Sequence, residues 1–227
     1  MSLRDRLQRR VVPRAVVALS TVRWPRRWAA AMRRAVGGTA SVRLYVAFDD
    51  PYSAVATLGL ADRVSGRRAQ LRIEPVVRRG IPGDPAAAAK RRYAIVDARR
   101  LGRRAGLELS RSEPVVPEAT AFLAEWAAAL PQGTRRVRFC AAAMERLWFA
   151  SDGPVEPEPY AALLREHAGS APPEDGARGP ARGEREMRRR RLYDTPVAVV
   201  HGQWFFAHER LGQIEHRLDE LGWTAAG

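Results

Sequence analysis

Three short stretches of this chain carry side chains able to do chemistry: Asp50-Pro51-Tyr52-Ser53, Thr195-Pro196 and His208-Glu209. In the first, a carboxylate and a hydroxyl stand three residues apart, close to one turn if a helix opens there. Aspartate before proline favours that start. Asp50 is suited to cap a helix, and Pro51 at its first position gives up no hydrogen bond. A helix beginning here points unpaired N–H groups and the positive end of its dipole at whatever lies ahead. That is a place for a thiolate, a carboxylate or a phosphate. His208 could bind a ligand carboxylate or act as an acid or base, or it could equally be an exposed cap at a helix start.

The elements that must position these groups follow from the apolar pattern. Ser41 to Phe48 reads as a buried strand, Pro51 to Val64 as a helix, and Arg72 to Val77 as a second strand, together one βαβ unit. Near the other end, Tyr193 to Val200 is a strand with Pro196 just inside its start. His201-Gly202 is a hairpin turn, Gln203 to Phe206 pairs back, and Ala207-His208-Glu209 opens an amphipathic helix running through Leu221. A proline there implies either a cis Thr195–Pro196 bond at the strand entrance or a trans proline on an edge strand.

Between the two halves lie a loop, Arg79 to Pro85, and helices over 86–105, 118–130, 135–149 and 157–167. The Gly- and Pro-rich stretch Ser170 to Gly183 lacks apolar residues and reads as a mobile loop. A helix over Glu184 to Arg191 should then lie near the site. The layout is a basic helical extension (1–40), a first α/β half (41–78), an inserted helical segment (79–183) and a second half (184–227).

Composition limits the function classes. The chain has 227 residues, 46% of them hydrophobic, enough for a sizeable core. Its formal charge is +14, yet Lys90 is its only lysine. That reads as a general arginine-rich surface rather than a dedicated nucleic-acid face, and no helix-turn-helix, zinc-ligand or RNP-type pattern accompanies it. Cys140 is the only cysteine. It excludes an intramolecular disulfide and a CxxC redox pair, and reads as a buried small hydrophobe. No metal-ligand motif and no membrane-length apolar run are present, and a cytoplasmic location is expected. For the basic start of the chain, two amphipathic pieces are expected, around Leu3 to Val12 and Trp24 to Val36. They would either pack on the domain or touch an anionic surface or partner. A signal peptide centred on Val16 to Ser20 is the weaker alternative.

Asp50-Pro51-Tyr52-Ser53 has the spacing of a redox Cys-Pro-Tyr-Cys. The chain here resembles the DsbA-like thioredoxin-fold group, nearest to the 2-hydroxychromene-2-carboxylate isomerases and kappa-class glutathione transferases, which carry Ser-Pro-Tyr/Phe-Ser at this turn. Where they have the first serine, this chain has Asp50. The Thr195-Pro196-Val197-Ala198-Val199-Val200 strand and the Phe206-Ala207-His208-Glu209-Arg210-Leu211 stretch match further family segments, and the first favours the cis bond. Lys90, Tyr93, Asp97 and Arg100 reproduce a run typical of the first inserted helix, although such spacing also yields ordinary helical ion pairs.

The resemblance implies an α/β, thioredoxin-like fold with an inserted all-helical subdomain. It implies glutathione as cosubstrate, Asp50 and Ser53 as the catalytic pair, and Pro51, Tyr52, Thr195, Pro196, His208 and Glu209 as glutathione-binding residues. Asp50 either repels a thiolate, turns inward to cap the helix, or takes the thiol proton, with the Tyr52 and Ser53 N–H groups free to hold sulfur. The expected function is a glutathione-dependent isomerase or transferase acting on a hydrophobic or aromatic molecule. The alternatives are a non-catalytic module binding a peptide or protein, and an arginine-rich nucleic-acid or membrane binder. A homodimer is left open.

Overall fold

A computed structural model of the chain describes residues 24–150, 152–173 and 180–225. The first of the two expected amphipathic pieces and the signal-peptide segment lie outside the described residues. In chain order the elements are α1 (Trp24–Ala35), β1 (Ala40–Val46), α2 (Pro51–Val64), β2 (Ala69–Pro75), α3 (Ala87–Arg104), α4 (Pro117–Ala129) and α5 (Thr134–Glu145). Then follow α6 (Pro157–Ala168), α7 (Pro180–Arg189), β3 (Val197–Val200), β4 (Gln203–Phe206) and α8 (Leu211–Glu220).

The four strands form one sheet in the order β2-β1-β3-β4. β1 runs parallel to β2, with Val42 opposite Leu71. It runs antiparallel to β3, with Leu44 opposite Ala198. β3 and β4 form the hairpin around His201-Gly202. The parallel pair needs a crossover, and α2 supplies it. The antiparallel pair is reached only after the long helical excursion α3 to α7.

Both sheet faces are covered. On one, Val42, Leu44, Val46, Ala198 and Val200 pack against α2, α5 and α8 in the main core. On the other, Tyr45, Ala47, Val197 and Val199 form a smaller cluster closed by Met187 of α7. β1 and β3 are therefore apolar on both sides, which is why they read as continuous hydrophobic runs.

Three expectations are corrected. The helix expected from Glu184 begins earlier, at Pro180, a proline suited to a first turn. Gly183 there lies so near β2 that a Cβ would stand 2.7 Å from the Pro75 carbonyl oxygen, so only glycine permits the approach. The helix expected over 135–149 stops at Glu145 and widens into a π-turn over Arg146–Ala150. The helix expected to open at Ala207 is first a 3₁₀ turn, Ala207–Glu209, with α8 starting only at Leu211.

Candidate functional site

The site is built where β1 ends and α2 begins. Asp50 is the N-cap of α2 in extended backbone conformation, and its Oδ1 accepts the Tyr52 N–H at 3.2 Å. Its backbone oxygen accepts the N–H groups of Ser53 (3.0 Å) and Ala54 (3.3 Å). Pro51 has no N–H. The first turn of α2 is thus satisfied from within, and the Tyr52 and Ser53 N–H groups expected to hold a sulfur are taken. The anion at this helix start is the protein's own Asp50 carboxylate.

Asp50 is 2% exposed. Its Oδ2 accepts the Ser53 hydroxyl at 2.6 Å and the Thr195 hydroxyl at 3.0 Å. Ser53 Oγ in turn accepts the Ala47 N–H at 3.2 Å, so its own proton is directed at Asp50. Thr195 comes from the far end of the sequence, and the Thr195–Pro196 peptide bond is cis. Burial pushes the Asp50 carboxyl up to about 6, with Asp49 and Asp194 adding to the rise. The Arg79 charge and the Ser53 hydrogen bond pull the other way.

Arg79 completes the electrostatics. Its Nη2 lies 3.0 Å from Asp49 Oδ2 and its Nη1 3.4 Å from Asp194 Oδ1. Burial opposes its charge, but Asp50, Asp49 and Asp194 outweigh burial and raise its pKa. Three carboxylates and one guanidinium thus meet beside the cis bond. Arg79 was not singled out by the sequence. The only local signal was its place at the head of the Gly- and Pro-rich loop, and its partners lie 30 and 115 residues away.

The remaining candidates divide. Asp50, Pro51, Tyr52 and Thr195 line a cavity of about 1070 Å³ at this end of the sheet. Ser53 is fully buried behind Asp50, and its hydroxyl is committed there rather than offered to a ligand. Pro196 is buried at the entrance to β3, its oxygen accepting the Ala207 N–H at 3.0 Å. His208 stacks on Tyr52 with ring centroids 4.2 Å apart, and burial pushes its imidazole down. Glu209 is half exposed, 4.0 Å from His208. Neither His208 nor Glu209 lines the cavity; His208 stands against Tyr52, with Glu209 beside it.

The Tyr52 hydroxyl donates to Asp97 at 3.0 Å, and its pKa is raised chiefly by burial, then by that carboxylate. Of the run on α3, Asp97 therefore braces the site, Tyr93 lines the cavity, and Lys90 pairs with Asp84 at 2.6 Å.

The helical segment supplies the opposite wall. Trp148, in the π-turn, lines the cavity and donates its indole N–H to the Phe48 carbonyl at 2.9 Å. Tyr93, Tyr193 and Ile81 contribute exposed apolar surface, and Arg78 and Arg91 line the same space. The side chains of these two arginines make no hydrogen bond or ion pair among the described residues. Cys140 is far from thiol chemistry, since burial pushes it up to about 12. Among the described residues, no group of three or more His, Cys, Asp or Glu could hold a metal ion. No described helix is long and apolar enough to cross a membrane.

No protein-family model matches the chain, and no curated protein matches it. Solved structures do. A 2-hydroxychromene-2-carboxylate isomerase overlays with a TM-score of 0.66 at 16% identity, over 80% of this chain and 96% of that one. A candidate protein-disulfide isomerase from Pseudomonas syringae overlays with a TM-score of 0.42 at 14% identity, over 80% of this chain and 94% of that one. At such identity the first likeness speaks to fold, and the second overlay carries no argument. The chain has an α/β, thioredoxin-like fold, with a mixed four-stranded sheet and, among the described residues, eight flanking α-helices.

Proposed function

We propose that this protein is a glutathione-dependent isomerase or transferase in which Asp50 handles the proton. One observation carries the reading. The Asp50 carboxylate at the wall of a roomy cavity is buried, held by two hydroxyls and pushed up to about 6. A general base works best with its pKa near the working pH, and such shifts gather at functional sites. The isomerase among the overlaid structures supports the class.

Asp50 takes the proton of the glutathione thiol, leaving a neutral acid beside a thiolate. The two negative charges that would repel one another never coexist, and the Arg79 cation remains beside the pair. Moving a proton from a free thiol near 8.5 to a group near 6 is uphill by roughly 3 kcal/mol, small beside a chemical barrier. The thiolate adds to an electrophilic carbon of an aromatic or hydrophobic substrate. For isomerisation, the carbon–sulfur bond breaks again after rotation about the bond it had made single, and Asp50 returns the proton to sulfur. For transfer, the leaving group takes the proton.

Arg78 and Arg91 suit the carboxylates of glutathione, and Tyr93, Tyr193 and Ile81 suit an apolar substrate. Tyr52, Pro51 and Thr195 face the peptide. Pro196 and His208 back those residues, Glu209 lies beside His208, and Ser53 holds Asp50.

The test pairs calorimetry with turnover. Glutathione should bind, and Asp50→Asn should bind it with similar affinity. Addition of the thiol to an aromatic electrophile such as a chlorodinitrobenzene should fall about 10²- to 10⁴-fold in that variant. No measurable glutathione binding at physiological salt would end the proposal. A second reading, a non-catalytic module binding a peptide or protein at the same cavity, is favoured by the filled helix start. It predicts no glutathione binding at all and a peptide affinity indifferent to Asp50→Asn.

A further inference from the structure

Helix α1 is mounted with its apolar side outward. Ala30 is its buried apolar contact with the body. On one flank of that contact, Arg27 Nε approaches the Glu220 carbonyl at 3.4 Å. Arg34 donates to the Leu221 carbonyl and lies over the Trp223 ring, 5.5 Å from its centroid. These carbonyls end α8, where a helix favours cations. On the other flank, Arg26 and Arg33 make no side-chain hydrogen bond or ion pair among the described residues. Opposite Ala30, on i, i+4 spacing, stand Trp28 (61% exposed), Met32 (51%) and, just past the helix end, Val36 (79%).

A helix that stabilises its domain turns such a stripe inward. Here arginines do the anchoring and the large apolar groups are left in solvent. The helix contains no acidic residue. The 23 residues before it add six arginines and one aspartate. An outward stripe with tryptophan at its centre, bordered by cations on both sides, has the layout of a helix lying in a membrane interface. The apolar groups enter the acyl boundary while the guanidiniums meet phosphates.

We infer that α1 docks this protein on an anionic lipid surface, with Trp28, Met32 and Val36 inserted and Arg26 and Arg33 on the headgroups. The charge decides the occupant. A second copy of this chain, at +14, would bring arginines against arginines, whereas an anionic bilayer neutralises them. α1 leads into the start of β1, and the cavity lies past its other end, about 20 Å away along the strand. A docked molecule therefore keeps its cavity open to water.

The full chain should be sedimented with vesicles of phosphatidylcholine containing about one-third phosphatidylglycerol, and with phosphatidylcholine alone. Binding is expected to the first, weakly or not to the second, and to fade with salt. The double variant Trp28→Glu/Met32→Glu should lose about tenfold or more in partitioning, and Arg26→Gln/Arg33→Gln a similar factor. Circular dichroism should show all three proteins equally folded, because the altered groups lie on the surface. Binding unchanged in both variants would assign it to the preceding arginines and overturn the inference. So would indifference to the anionic vesicles, whether or not a Trp28-dependent dimer or salt-sensitive DNA binding is found instead. None of these outcomes bears on glutathione.

Discussion

Asp50 and Glu74 are both buried carboxylates, and their neighbours give them different work. Asp50 sits between the first helix and the cis bond, with hydroxyls on one oxygen and a backbone N–H on the other. Glu74 sits at the end of β2 between two guanidiniums, Arg43 at 3.9 Å and Arg136 at 4.0 Å. Burial raises both pKa values. Around Glu74, Arg136 also donates to the carbonyls of Leu130, Ile73 and Ala128, and Arg43 reaches on to Glu186. That network joins α4, α5 and α7 to the sheet, and none of its side chains lines the cavity beside Asp50. Asp50 takes neutral donors on both oxygens and feels Arg79 only through its field, whereas Glu74 lies between two guanidiniums that oppose the rise burial causes and tie it into a structural network.

The largest effect should come from the charged cluster. Arg136→Ala leaves Glu74 and three carbonyls short of a partner and should cost about 3–5 kcal/mol in urea unfolding. A loss below about 1 kcal/mol would erase the contrast. Asp50 should show itself through pH instead. Its carboxyl holds a proton more tightly folded than unfolded, so between its ordinary value of 3.8 and about 6 the native state carries the extra proton. Stability from this group is therefore present in acid and lost as pH rises through that window. Asp50→Asn should remove this falling component, on the order of 2–3 kcal/mol between about pH 4 and about pH 7. Parallel stability curves for the two proteins would refute the assignment.

Ser53→Ala sharpens the same point with a smaller effect. The lost hydrogen bond had favoured the ionised acid, so the Asp50 pKa rises further. The acid limb of a rate profile should move up by about one unit. The stranded Ala47 N–H should cost about 1–3 kcal/mol in the same unfolding measurement. Lys90→Ala, which breaks an ion pair in solvent, should leave the melting temperature unchanged.

What the chain disclosed by itself was local. Asp50 and Pro51 announce a helix start because capping and proline geometry need only adjacent residues. The runs around Leu44 and Val199 announce buried strands because alternation is suspended when both faces are covered. The order of segments then suffices for the fold. Side-chain commitments were not legible. Nothing near Ser53 reveals that its hydroxyl is spent on Asp50, and nothing near Arg79 reveals two carboxylates arriving from distant loops. His208 was visible as a residue able to do acid–base chemistry, but its place against Tyr52 depends on how a 3₁₀ turn precedes α8. α1 was visible as amphipathic. Which side it shows to water depends on the two carbonyls that its arginines find.

Trp148 fixes how this cavity can adapt. Its indole is riveted to the Phe48 carbonyl at the end of the central strand. Its own carbonyl takes the N–H groups of Ser110 and Arg111, at 3.0 and 3.2 Å. The floor is therefore stitched to both halves of the molecule and cannot hinge open without breaking three bonds. The lip across from it is tied through Arg79 and the Gly80 N–H, which donates to the Tyr193 carbonyl at 2.7 Å. Past that tie, residues 81–83 make no hydrogen bond to the other described residues outside their own turn, and Gly83 holds a left-handed φ of +74°. Bulkier guests should be accommodated by that lip swinging outward, not by the helical insert rocking away from the sheet.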